Sequence, residues 1–156
     1  NKNLISPPTK DNKMIGEKKK LIENKKYYNN EINFIWPTKG DIIISFGKRK
    51  NGLVSDGINI KAPDGKPILS TASGKVIFVG TEIRGFGNLV MIRHENGFIS
   101  AYAHLKSTNI QKGQYVKQGE KIGLVGKSGY VKTSQLHFEL RKGISPVDPR
   151  KFLGKI

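Results

Sequence analysis

From Phe34 onward, short runs of β-branched, aliphatic and aromatic residues are broken every few positions by glycine or another turn former. This punctuation is what most limits the folds open to the chain. An amphipathic helix needs apolar residues three and four apart, sustained over several turns. With 18 glycines spread along the chain, helix-length stretches of that kind are scarce. The pattern instead predicts an all-β domain of short strands joined by tight turns. Candidate strands cover 42–46 (read as buried), 58–60, 66–71, 74–80, 89–94, 98–104, 116–119, 121–125 and 136–141. Asn96-Gly97 is placed to fold the fifth of these back on the sixth, because both residues tolerate positive φ.

Residues 1–32 are of another kind. They hold Pro7-Pro8, the run Lys18-Lys19-Lys20, and eight lysines against four acidic residues. So polar a segment buries too little apolar surface to offset its ordering entropy, and it reads as a flexible basic linker or tail. A short helix around 17–28 is expected, with Leu21 and Ile22 docking on the domain. The folded domain is then 33–156. Because the sequence starts at Asn1, not at a Met followed by an apolar export segment, it reads as a fragment or a processed product.

The charge balance adds a partner class. With 28 Lys and Arg against 12 Asp and Glu, the formal net charge is +16. That predicts an anionic partner: nucleic acid, anionic lipid or an acidic envelope polymer. Electrostatic attraction carries no chemical identity, and a merely solvated basic surface accounts for the same number. Aromatic residues are few and none of the recognised nucleic-acid motifs is present, so nucleic acid is set aside. The absence of cysteine excludes disulfides and thiolate metal sites. No apolar run is long enough to span a bilayer. Glycine-turn echoes at Ala72-Ser73-Gly74-Lys75-Val76 and at 116–123 resemble biotinyl and lipoyl carrier domains. The lysine between methionines that such carriers need is missing, and no cofactor is expected.

Three histidines, His94, His104 and His137, fall in or at the ends of candidate strands. Strand alternation puts Gln135, His137 and Glu139 on one face and Leu136 and Phe138 on the other. The same rule puts Tyr102 beside His104. A polar row opposite an apolar row suits a groove floor, although lone histidines are usually hydrogen-bonded structural residues.

The segments Trp36-Pro37 with Phe46-Gly47, Asp56-Gly57-Ile58-Asn59-Ile60, Gly85-Phe86-Gly87-Asn88, Tyr102-Ala103-His104-Leu105 and Gln135-Leu136-His137-Phe138-Glu139 resemble a LytM-type (lysostaphin-like) metallopeptidase domain. They follow that family's order and approximate spacing over about three quarters of the chain. The resemblance implies a compact antiparallel β-sheet or sandwich whose strands floor a groove. In active members a histidine, an aspartate four positions later and the second histidine of a His-x-His pair bind zinc. Two further histidines assist. Here the first ligand position holds Ser55, the aspartate position Asn59 and the first of the pair Gln135; only His104 and His137 match. Catalytic zinc requires ligands of His, Asp, Glu or Cys type, so no metal is expected and no catalytic residue is assigned. Gln135 does not titrate near neutrality and cannot shuttle a proton.

A close likeness is to degenerate LytM domains of the NlpD and EnvC kind. It implies a non-enzymatic regulator in the periplasm or envelope of a Gram-negative bacterium, which binds and activates a zinc-dependent peptidoglycan amidase. The groove residues would be Ser55, Asn59, His104, Gln135 and His137, with Arg84, Tyr102, Lys127 and Tyr130 meeting the partner. Two alternatives stay open: a peptidoglycan-binding module without a protein partner, and an active zinc endopeptidase with a rewired site.

Overall fold

A computed structural model of the protein describes residues 16–18 and 31–155. The chain divides into two units, Asn1–Ile32 and Asn33–Ile156. In the first, Gly16, Glu17 and Lys18 have helical backbone and are exposed. The rest of the helix expected over 17–28, including Leu21 and Ile22, lies outside the described residues, as does most of the expected linker.

The second unit is built of twelve strands: β1 (Ile42–Ile44), β2 (Gly47–Lys48), β3 (Val54–Ser55), β4 (Ile58–Lys61), β5 (Pro67–Leu69), β6 (Gly74–Gly80), β7 (Asn88–Arg93), β8 (Phe98–Thr108), β9 (Tyr115–Val116), β10 (Lys121–Val125), β11 (Gln135–Lys142) and β12 (Ser145–Val147). Ten of them form one sheet with the central order β1-β4-β11-β8-β7-β6-β9, while β2 and β3 make a separate two-stranded ribbon. All these strand pairings are antiparallel. The expected all-β, antiparallel architecture is what forms.

Register explains where the core sits. Phe138 of β11 lies opposite Ile58 of β4 on one side and Tyr102 of β8 on the other. Residues directly opposite in an antiparallel pair share a face. Ile58, Ile60, Tyr102, Leu136, Phe138 and Leu140 therefore converge, and all are fully buried. The Tyr102 and Phe138 rings lie 5.4 Å apart.

The hairpin between β7 and β8 turns where Asn96-Gly97 predicts. Asn96 and Gly97 have φ of 58° and 74°, and the Phe98 N–H donates to the Glu95 carbonyl. The reading of 42–46 as a buried strand is corrected: the strand stops at Ile44, and Ile43 is 45% exposed. The reason is position in the sheet. Strand β1 is an edge that pairs only with β4, and its register shifts between Ile42 and Ile44. Three apolar residues in a row do not distinguish an edge from a centre. The strands β2, β3 and β12 are too short and too polar to have been anticipated.

Candidate functional site: a hydrogen-bonded polar row

On the face opposite Phe138, His137 of β11 lies directly across from Asn59 of β4. Gln135, His137, Glu139 and Asn59 are all buried, so their polar atoms need partners within the protein. They find them in one another. Gln135 Nε2 donates to the Thr133 carbonyl at 3.1 Å, which fixes its amide orientation, since a carbonyl only accepts. Gln135 Oε1 therefore accepts from Asn59 Nδ2 at 2.7 Å. That leaves Asn59 Oδ1 to accept from His137 Nδ1, also at 2.7 Å.

On the other side of the ring, His137 Nε2 is 3.1 Å from Glu139 Oε1, and Arg141 Nε donates to Glu139 Oε2 at 3.1 Å. Burial alone would raise the Glu139 pKa. The hydrogen bond and charge of His137, with the charge and hydrogen bond of Arg141, outweigh it and hold the carboxyl below its ordinary 4.5. Glu139 thus lies between the His137 ring and the Arg141 guanidinium. The row ends where Arg141 reaches Asp56 at 3.5 Å and the Ile144 carbonyl at 3.2 Å.

His104 joins this face by breaking the strand rule. Regular alternation from Tyr102 would send it into the core. Instead His104 adopts φ of +65°, and the β7–β8 register slips by one between Asn88 and Val90. Such a bulge re-aims a side chain. The His104 ring then stands 6.1 Å from that of His137, its Nδ1 donates to the Ser128 carbonyl at 2.8 Å, and its N–H donates to the Phe86 carbonyl at 2.8 Å. Burial lowers the His104 pKa; the Ser128 hydrogen bond opposes that, and the nearby His137 charge adds to it.

Tyr102 is a correction on two counts. It does not share the face of His104, and being fully buried it cannot touch a partner. Its hydroxyl accepts from the Thr71 N–H at 3.0 Å and from Ser100 Oγ at 2.9 Å. Burial pushes its pKa up to about 12, so it remains a phenol holding the core together.

Among the described residues, none of the other expected residues hydrogen-bonds to the row. The Ser55 hydroxyl is taken up by its own loop, donating to the Gly57 carbonyl at 2.9 Å and accepting from the Gly57 N–H at 3.4 Å; it makes no hydrogen bond to the row. Arg84 Nε donates to the Tyr130 hydroxyl at 3.1 Å, with its guanidinium 5.9 Å from the ring centre, and Tyr130 is 73% exposed. The loops carrying this pair are pressed together. A Cβ on Gly87 would lie 2.4 Å from the Ser128 carbonyl carbon, and one on Gly129 would lie 2.4 Å from the Gly85 oxygen. Lys127 is exposed, without an ion pair or side-chain hydrogen bond among the described residues.

Sequence reasoning overlooked Phe86, whose ring stacks on His137 at 5.5 Å and 26°. It also overlooked Ser128, whose hydroxyl accepts from the Asn88 N–H and donates to the Leu105 carbonyl. The signal for Phe86 was its place between two glycines in Gly85-Phe86-Gly87, an aromatic carried by a tight loop.

The donor set does not fit catalytic zinc. Two ligand atoms on a tetrahedral zinc with bonds near 2.1 Å stand about 3.4 Å apart. The Asn59 Oδ1 to His137 Nδ1 gap is 2.7 Å and is closed by a hydrogen bond. A donating Nδ1 has no lone pair for a metal, and Ser55 is a neutral hydroxyl engaged elsewhere. Among the described residues no three His, Cys, Asp or Glu side chains are grouped to hold a metal ion.

Comparison with known proteins gives the family. Residues 54–149 match Peptidase family M23. The chain is 49% identical over 122 residues to the cell division protein DipM of Caulobacter vibrioides, covering 74% of this chain and 20% of that protein. It is 39% identical over 118 residues to the murein hydrolase activator NlpD of Escherichia coli, covering 76% of this chain and 30% of that protein. A zinc-containing peptidase from Vibrio cholerae superposes with a TM-score of 0.69 at 34% identity, over 76% of this chain and 39% of that one. The chain thus spans less than half the length of each. Having this sequence match and this antiparallel sheet in common with its relatives, the chain belongs to peptidase family M23, the LytM-type family.

Proposed function

We propose that this domain is a non-catalytic regulator of cell-wall hydrolysis, which binds and switches on a peptidoglycan amidase in the envelope of a Gram-negative bacterium. One observation carries the reading. Two of the three positions where active relatives hold zinc ligands, Asn59 and His137, are here hydrogen-bonded to each other at 2.7 Å, and Gln135, at an assisting position, accepts from Asn59 at 2.7 Å. Such a row has no metal-activated water to offer but presents a rigid polar floor. The relatives named murein hydrolase activator and cell division protein support the same reading, as do relatives named as lipoproteins for the envelope location.

Activation is a population shift. A partner held closed by an inhibitory element opens only to the extent that this domain binds the open form more tightly. Ser55, Asn59, His104, Gln135 and His137 form the floor, and Arg84, Lys127 and Tyr130 are the exposed contacts. Tyr130, prepaid in orientation by Arg84, is the expected aromatic anchor. Dye release from labelled peptidoglycan tests this with the domain alone, a cognate amidase alone and the mixture. Release only in the mixture, reduced at least tenfold by Tyr130→Ala or Arg84→Ala at unchanged Tm, is expected. Chelator-sensitive release by the domain alone would overturn the reading. The net charge of +16 favours one second reading, direct binding to acidic peptidoglycan. Sedimentation with purified wall in the absence of amidase, lost at high salt, would support it.

A further inference from the structure

A second polar feature lies at the Gln135 end of the row, beside Thr133. A cavity of about 550 Å³ opens between the segment leading into β1, the end of β4 and the loop before β11, lined by Lys39, Asp41, Lys61, Thr133 and Ser134 among others. Its walls are set by backbone packing. A Cβ on Gly40 would lie 1.9 Å from the Lys61 carbonyl oxygen, the Lys61 N–H donates to the Asp41 carbonyl at 2.8 Å, and Lys66 Nζ braces the Lys39 carbonyl at 2.6 Å.

The side chains around it are uncommitted. Among the described residues, Lys39, Asp41 and Lys61 form no ion pair and no side-chain hydrogen bond. Thr133 Oγ1 accepts from Gln135 Nε2 at 3.2 Å, leaving its O–H free to donate. The lining residues thus include two lysines, a threonine and a serine against one aspartate. A ligand complementary to that set brings two carboxylates and one ammonium.

We propose that this pocket binds an amino dicarboxylate: the two carboxylates face Lys39 and Lys61 and the ammonium faces Asp41. The same chemistry occurs in a free acidic amino acid and in the end of an acidic wall peptide. Because Thr133 also holds the first amide of the row, a ligand there would be felt at Gln135. This inference does not depend on amidase activation, which the dye-release assay reads separately.

The test is an amide NMR titration of the full chain with three probes: L-glutamate, a soluble muropeptide with free acidic ends, and succinate, which lacks the ammonium. Saturable shifts at Lys61, Thr133, Ser134 and the Gln135 side-chain amide are expected for glutamate or the muropeptide, with Kd of order 1 mM. A muropeptide at least tenfold tighter than glutamate would identify the wall as the source, and the reverse order the free amino acid. Lys61→Ala should weaken either by at least fivefold. Asp41→Asn should weaken the amine-bearing probes but leave succinate unchanged. The proposal is overturned if neither amine-bearing probe gives saturable shifts at these amides, if succinate binds as well as glutamate, or if both variants bind as the wild type does.

Discussion

Two buried polar networks in this domain are each built around a histidine and differ in what they face. The first joins His94 to the Ser73 carbonyl at 2.8 Å and to Ser100 at 2.7 Å, and Ser100 to Tyr102. It is walled by Phe34, which meets both His94 and Phe98 edge-on. The second is the row from Gln135 to Arg141. The first closes on backbone groups and aromatic core, so it fastens the sheet. The second is side chain to side chain, runs along strands whose other face is the core, and lies beside loops that carry exposed Arg84 and Tyr130. A buried histidine is therefore no mark of a site. What its neighbours face decides the matter.

The comparison breaks most visibly at Tyr102. Truncating it to Ala should cost about 3–5 kcal/mol, read by urea unfolding, by emptying core volume against Phe138. Amidase activation per folded molecule should be unchanged. A selective loss of activation would return Tyr102 to the partner surface.

Next in size is Glu139→Gln. It leaves Arg141 and His137 beside a neutral amide and should cost about 2 kcal/mol, the scale of hydrogen bonds to charged groups. Unlike Tyr102→Phe, it should also change activation, because it alters the polar face. Equal behaviour of the two variants would erase the distinction drawn between the networks.

A pH series sharpens the contrast between histidines. Burial, the leading cause in both, lowers the pKa of His94 and of His104 from 6.5. Below 6.5 the unfolded chain takes up protons that the folded one refuses, so stability falls as pH drops from about 7 toward the folded values. Replacing His94 or His104 by Gln should flatten that part of the curve. Glu139 acts in a lower window. With its folded pKa depressed, its contribution is complete above 4.5 and is lost as pH falls through the folded value. A wild-type curve rising from pH 7 to 5.5 would contradict the His assignments.

The smallest expected effect is that of a chelator. Since Asn59 and His137 are bonded to each other, EDTA should leave the wild-type Tm unchanged within about 1 °C; a structural zinc contributes far more. A larger drop would mean that a metal holds the fold.

Much of this site could be read along the chain. The alternation in Gln135-Leu136-His137-Phe138-Glu139 correctly separates the polar row from the core, because β11 is central and regular. The same rule fails at Tyr102-Ala103-His104, where a left-handed residue shifts the register. No residue type announced that bulge: positive φ is uncommon for any residue other than glycine, even for histidine, which is enriched there. Phe86 was missed because its partner His137 is 51 residues away in sequence and is chosen by loop packing, whereas Arg141, two residues beyond Glu139 on the same strand face, lay within reach of the alternation rule.

The sequence by itself determined the strand-and-turn character, the Asn96-Gly97 reversal and the family, and it set the expectation that Ser55, Asn59 and Gln135 stand at three of that family's functional positions. These are properties of local periodicity, turn chemistry and side-chain type. Only the tertiary structure decided that Asn59 and Gln135 join His137 in one directed row, that His104 turns toward it while Tyr102 turns away, and that β1 is an exposed edge. Each of those depends on which backbone groups meet across strands far apart in the chain, and one residue of register is enough to exchange a core side chain for a site side chain.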